Sequence, residues 1–159
     1  MQQKKKKKGS FWEAVSSFLV LSIIVVAISW SFVENNLKIG ICFLFIGILS
    51  LIILKFFKIK ITEIYPDMIF GAIDNGFLIF AAVLGANFAG AAGAIIGGAA
   101  GNAITDGIGG IFEGHVSENQ RRFEIDNNRT ALSAGIGKMA GCLFGAGAGL
   151  LLVWFIGLF

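Results

Sequence analysis

A chain of 159 residues, 56% of them hydrophobic and only 14% charged, carries more apolar surface than a water-soluble core of that size can bury. Its mean hydropathy of +0.81 excludes an ordinary soluble domain, and lipid must take up the excess. The net charge of +3 says little by its size, and no nucleic-acid partner is expected.

Residues 1–10 form a basic N-terminus containing Lys4 to Lys8, and the first apolar run follows from Phe11 to Val33, broken only by Glu13 and serines. Crossing the roughly 30 Å hydrocarbon layer takes about 18 residues or more, and this run suffices. It has the basic start of a signal peptide and a loosely suitable Ala27-Ile28-Ser29, but it is longer than an ordinary signal core and reads as an uncleaved anchor. A second run, Ile39 to Leu54, completes an N-terminal hairpin over residues 11–60 that is rich in Ile, Leu, Val and Phe.

Tyr65-Pro66-Asp67 marks the expected start of a third span, Met68 to about Phe88, because proline suits a helix's first turn. A fourth span follows from about Gly90 to Val116. A short polar segment, 117–130, then leads to a fifth, Ala131 to Phe159. The expected fold is therefore an all-α, polytopic transmembrane bundle of five spans, with residues 61–159 forming a three-helix core.

Charge sets the orientation. Lys4 to Lys8, Lys55, Lys58, Lys60, Arg121, Arg122 and Arg129 all fall on one side of a five-span chain, with only Lys38 opposite and Lys138 inside the fifth span. Lys and Arg are retained in cytoplasmic loops, so the N-terminus is expected inside and the C-terminus outside. The host is expected to be a prokaryotic cytoplasmic membrane. The N-terminal lysines can also attract anionic lipid, beyond setting topology.

From Gly71 onward the composition changes, and most of the 22 glycines lie there. Gly93, Gly97 and Gly101 recur at four-residue spacing, as do Gly137, Gly141, Gly145 and Gly149. Such stripes let helix backbones approach closely, within one subunit or between two copies. Cys42 and Cys142 lie in apolar spans and read as small buried hydrophobes, with no disulfide inferred.

Acids within a membrane cost about 2.5 to 3.5 kcal/mol each on insertion scales, so each calls for a partner or a use. Asp74 and Asn75 stand about 10 Å into the third span, counting ~1.5 Å per residue from Asp67. On the fourth, Asn102, Asp106 and Glu113 fall within about 40° of one another at ~100° per residue, a stripe extended by Gly109 and Ser117. Glu113 and Asp74 are expected at comparable depths and Asp106 near the midplane. Carboxylate and amide oxygens at stepped depths are hard ligands for a divalent cation, and a proton path can use the same acids. The plainer alternative pairs the acids with one another or with Lys138, an ion pair that would fix helix register. His115 reads as an interfacial imidazole, and Glu118, Glu124 and Asp126 as a solvated loop.

At these residues the chain resembles the vacuolar iron transporter family, whose members move ferrous and manganous ions. FGAIDNGFLIFAAVLGANFAGAAG (Phe70 to Gly93) is similar to the family's first conserved helix with its Asn-Asp-Gly start. GNAITDGIGGIFEGHVS (Gly101 to Ser117) has much of the second helix's spacing, and ALSAGIGKMAGCLFGAGAGLLLVWF resembles the glycine-rich third. The likeness covers roughly residues 68–159.

Departures accompany the likeness. The Asn-Asp order is inverted, so the family's metal-binding aspartate maps onto Asn75, with Asp74 beside it; a usual methionine falls near Gly109 or Gly110. The acid near the second helix's end maps onto Gly114, with Glu113 one place earlier, and Lys138 is foreign to the pattern. The family's last two helices are missing, an unrelated-looking hairpin precedes the shared part, and the helical cytoplasmic domain of some members shrinks to about a dozen residues.

The resemblance implies a homodimer with the ion path at its interface and exchange of metal against protons. Asp74, Asn75, Asn102, Asp106 and Glu113 are the expected metal-lining residues, with iron or manganese as transported ion and no permanently bound cofactor. The competing expectation is a small membrane scaffold that packs partner helices through its glycine stripes. An enzyme is not expected, since one His and two apolar Cys offer no zinc site and no serine-histidine motif is present.

Overall fold

The computed structural model describes residues 11–35, 39–122 and 130–158, and these are helical apart from short turns. Residues 1–10 with Lys4 to Lys8, Lys38, and 123–129 with Glu124, Asp126 and Arg129 lie outside the described residues, as do the side chains of Glu113, Ser117, Arg121 and Arg122. The helices are α1 (Phe11–Asn35), α2 (Ile39–Phe56), α3 (Ile61–Arg122) and α4 (Ala131–Phe155). Each is long and apolar enough to cross a membrane. Trp12 and Trp30 stand near the two ends of α1, roughly 27 Å apart at ~1.5 Å per residue, the spacing of two interfacial aromatic anchors.

A straight helix of α3's 62 residues would be about 93 Å long, three times a bilayer's apolar thickness. It is instead broken at Ala89 (φ −144°, ψ 25°) and Gly90 (φ 57°, ψ −139°). The second pair of angles is one that glycine adopts without steric cost and an L side chain does not. The chain folds back there, so that a first arm (61–88) and a second arm (91–122) run antiparallel. Gly85 meets Gly93, Ala81 meets Gly97, and the Phe70 ring packs on Gly109. These arms carry the expected third and fourth spans.

The helix begins earlier than expected, at Ile61, and Pro66 lies inside it. Residues 61–65 supply one further turn in front of the proline, close enough to the helix start that few backbone hydrogen bonds are forfeited.

α4 packs against all three other helices, and half of its span is buried. Its start is fixed by Thr130, whose hydroxyl accepts from the Ser133 amide (3.1 Å) while the Ser133 hydroxyl accepts from the Thr130 amide (2.8 Å). This is a reciprocal cap with serine in the place usually held by Glu or Gln.

Along the first arm of α3, α4 runs parallel and in step. A Cβ on Gly137 would stand 3.0 Å from Ile64 Cβ, on Gly141 2.7 Å from Met68 Cα, on Gly145 2.7 Å from Ala72 Cα, and on Gly149 3.3 Å from the Gly76 carbonyl. Each step is four residues on both helices, so the absent side chains set the interaxial distance. α2 runs the other way along α4, with Gly40 against the Gly147 carbonyl and Gly47 against the Phe144 ring. Ala14, Leu21, Leu54, Ile59, Ile64, Leu132 and Ile136 form a buried cluster where α1, α3 and α4 begin and α2 ends.

Candidate functional site

The fold-back at Gly90 decides which polar groups meet. With the arms in antiparallel register, Asp74 on the first arm faces Thr105 on the second, and the Thr105 hydroxyl donates to the Asp74 carboxylate. Both are buried, at 6% and 2% exposure. The same hydroxyl lies 3.1 Å from the carbonyls of Gly101 and Asn102. It has a single proton, and the carboxylate is the stronger acceptor.

One face of the second arm away from that contact, Asn102 and Asp106 pair with each other. The Asn102 amide donates to the Asp106 carboxylate at 2.8 Å, the i, i+4 geometry of neighbouring turns. Asp106 is exposed on the outside of the hairpin and Asn102 is half-buried between the two contacts. Asn75 turns away from the seam, its amide donating 3.2 Å to the Cys142 carbonyl of α4, and so ties the first arm to α4.

Lys138 places its ammonium 4.3 Å from the centroid of the Phe70 ring, an attractive cation–π contact. The same ring fills the space over Gly109. Asp74, Asp106 and Lys138 are thus each given a neutral partner: a hydroxyl, an amide and an aromatic face. Both cysteines are free and half-buried.

The hairpin sets Asp74 and the Asn102–Asp106 pair at one level but on different faces, and sends Asn75 to α4. The level expected for Glu113 differs: the register that sets Asp74 beside Thr105 and Phe70 beside Gly109 puts the Glu113 backbone about two turns away from Asp74. Asp74 and Asp106 are the pair at similar depth, because the turn consists of Ala89 and Gly90 alone. The Glu113 side chain lies outside the described residues. His115 is exposed.

Thr105 went unread in the sequence, since a threonine in an apolar helix ordinarily satisfies itself on the carbonyl four residues back. Its signal was positional, for Asp74 and Thr105 stand symmetrically about the turn. Chemically, Asp74, Asp106 and the Asn102 carbonyl are hard oxygen donors at one level of an apolar hairpin. Among the described residues, no three His, Cys, Asp or Glu side chains gather in a group that can hold a metal ion. Any cation coordinated here would also draw on amide, hydroxyl or water oxygens.

Comparison with family models, curated proteins and solved structures finds no match for this chain. The resemblance to the iron transporters therefore rests on the motifs of Phe70 to Gly93 and Gly101 to Ser117 themselves.

Proposed function

We propose that the chain moves a divalent cation, iron or manganese, across a membrane along the α3 hairpin. The observation that carries this reading is that two acids, Asp74 in the seam and Asp106 on the outer face with Asn102, stand at one level of an otherwise apolar hairpin. Acids so placed are costly and call for a use. Asn75, on the side of the first arm that meets α4, and Glu113, about two turns from Asp74, complete the proposed lining, and exchange against protons is the coupling that the family resemblance suggests.

In this reading the chain crosses five times, with the two arms of α3 as separate crossings. The antiparallel arms, the parallel pairing of α4 with the first arm and the antiparallel pairing of α2 with α4 agree with that count. The N-terminus is cytoplasmic, the C-terminus outside, and the membrane that of a prokaryotic cell. The chain acts as a dimer. The exposed Asn102–Asp106 pair and the open space at Gly107 and Gly110, where a Cβ would meet nothing within 4 Å, support a second copy against that face.

A specific observation favours a second reading, a membrane scaffold without transport. The polar groups of the seam already find partners inside the chain, so their presence needs no passing ion. Purified protein in liposomes loaded with a metal-quenched dye separates the two. A carrier admits ferrous or manganous ions faster than protein-free liposomes, and a scaffold does not.

A further inference from the structure

The turn that joins α2 to α3 is built against local preference. α2 ends in a paired closure: the Ile59 amide donates to the Leu54 carbonyl (3.1 Å) and the Lys58 amide to the Lys55 carbonyl (2.9 Å). This geometry needs one residue in the left-handed region, a place that glycine usually takes. Here it is Lys58, at φ 58°, the single non-glycine residue with positive φ among those described. A chain with 22 glycines puts a lysine at the position where glycine removes strain.

Lys60 is also placed against preference. It stands immediately before the first turn of α3, where the helix dipole disfavours a cation. Only Lys55, in the last turn of α2, is where the dipole welcomes it.

The turn is nevertheless rigidly mounted. Leu54 and Ile59, which flank it, are both buried in the cluster shared by α1, α3 and α4. With those two locked inward, Lys55, Lys58 and Lys60 are all exposed. Between them Phe56 is 84% exposed, and Ile61 is exposed just beyond. A rigid turn thus presents three ammonium groups interleaved with apolar side chains at one end of two apolar helices.

We propose that this turn is a binding site for the headgroup phosphates of anionic phospholipid, with Phe56 inserted among the upper acyl carbons. Charge complementarity selects an anion, and the exposed Phe56 selects a lipid over a free anion, which would gain nothing from an aromatic ring. Local costs at Lys58 and Lys60 are offset by this partner, and no ion pair or hydrogen bond of either side chain occurs among the described residues. The site needs no cation transport and stands independently of it.

The test uses the full-length protein in a neutral detergent, titrated with phosphatidylglycerol or phosphatidylcholine, with the thermal unfolding midpoint as readout. Phosphatidylglycerol is expected to raise the midpoint at lower concentration than phosphatidylcholine. Each lysine removed weakens the half-effect concentration about fivefold, and Lys55→Gln/Lys58→Gln/Lys60→Gln together on the order of a hundredfold. Lys58→Gly separates charge from backbone: it raises the lipid-free midpoint by relieving the left-handed lysine, yet weakens the phosphatidylglycerol response about fivefold.

Several results overturn the proposal. One is a triple variant that keeps the wild-type preference, as lysines serving only insertion topology would allow. Another is loss of the preference on replacing Lys4 to Lys8 by Gln while the triple variant retains it. A third is inorganic phosphate matching phosphatidylglycerol, which would make the site one for a free anion.

Discussion

The Thr105 hydroxyl donates to the Asp74 carboxylate across the α3 hairpin, joining residues 31 apart in sequence through a fold-back of two residues. A buried acid in an apolar hairpin is tolerated because a donor is aimed at it.

Thr105→Val keeps the side chain's shape and removes that donor. The variant is expected to lose about 1 to 2 kcal/mol of stability, within the range for hydrogen bonds to charged groups and between membrane helices. Thr105→Ser should recover most of it. Unfolding in detergent or mixed micelles measures both, and a Val variant as stable as wild type would mean that Asp74 is satisfied elsewhere.

The glycines of α3 and α4 offer a contrast. A side chain at Gly97 would run into the Ala81 carbonyl, and one at Gly141 into the Met68 backbone, whereas a Cβ at Gly107 meets nothing within 4 Å. Gly97→Leu and Gly141→Leu are expected to destabilise by about 1 to 3 kcal/mol or more, through overpacking. Gly107→Ala should be neutral or stabilising by up to about 1 kcal/mol, through its better helix propensity. Equal effects at the three positions would contradict the packing described.

Much of this was legible in the sequence because it is written in periodicity. The apolar runs located α1 and α2 to within two residues but missed seven residues at the start of α3 and six at its end, and the four-residue glycine spacing of Gly137 to Gly149 marked the face of α4 that meets the first arm of α3. What the sequence withheld was register. That Asp74 levels with Thr105 rather than with Glu113 depends on a turn confined to Ala89 and Gly90, and a shift of one helical turn would have paired other residues. Thr105 and the Phe70 ring under Lys138 were invisible for the same reason. Each is ordinary in an apolar helix until the opposing element is in place. The early start of α3 was missed because Pro66 reads as a helix's first turn rather than its second.

Lys138 gives a third prediction. Its ammonium stands 4.3 Å from the centroid of the Phe70 ring, so a double-mutant cycle of Lys138→Met with Phe70→Leu should yield a coupling of about 0.5 to 2 kcal/mol. The cycle of Lys138→Met with Asp106→Asn should yield less than about 0.5 kcal/mol, as for groups that do not share a contact. The reverse ranking would restore the ion pair between Lys138 and the acid stripe.

The topology is open to a direct check. A reporter inserted near Asn119 should lie in the cytoplasm, while one in the turn at Ala89–Gly90 and one after Phe159 should both lie outside. If the turn reports from the cytoplasm, the two arms of α3 are not separate crossings and the five-crossing account fails.

The central claim, that the acids of the α3 hairpin serve a passing cation, is tested most directly by uptake of ferrous or manganous ion into liposomes containing either wild type or Asp106→Asn. Asparagine keeps the shape and the hydrogen-bonding contact to Asn102 while removing the charge, so folding and oligomeric state should stay near wild type on size-exclusion chromatography. The account predicts uptake by the wild type and its loss, by tenfold or more on an order-of-magnitude reading of one lost charge in an apolar setting, in the variant. A well-folded Asp106→Asn protein that moves the metal at the wild-type rate, or a wild type that moves none, would contradict it.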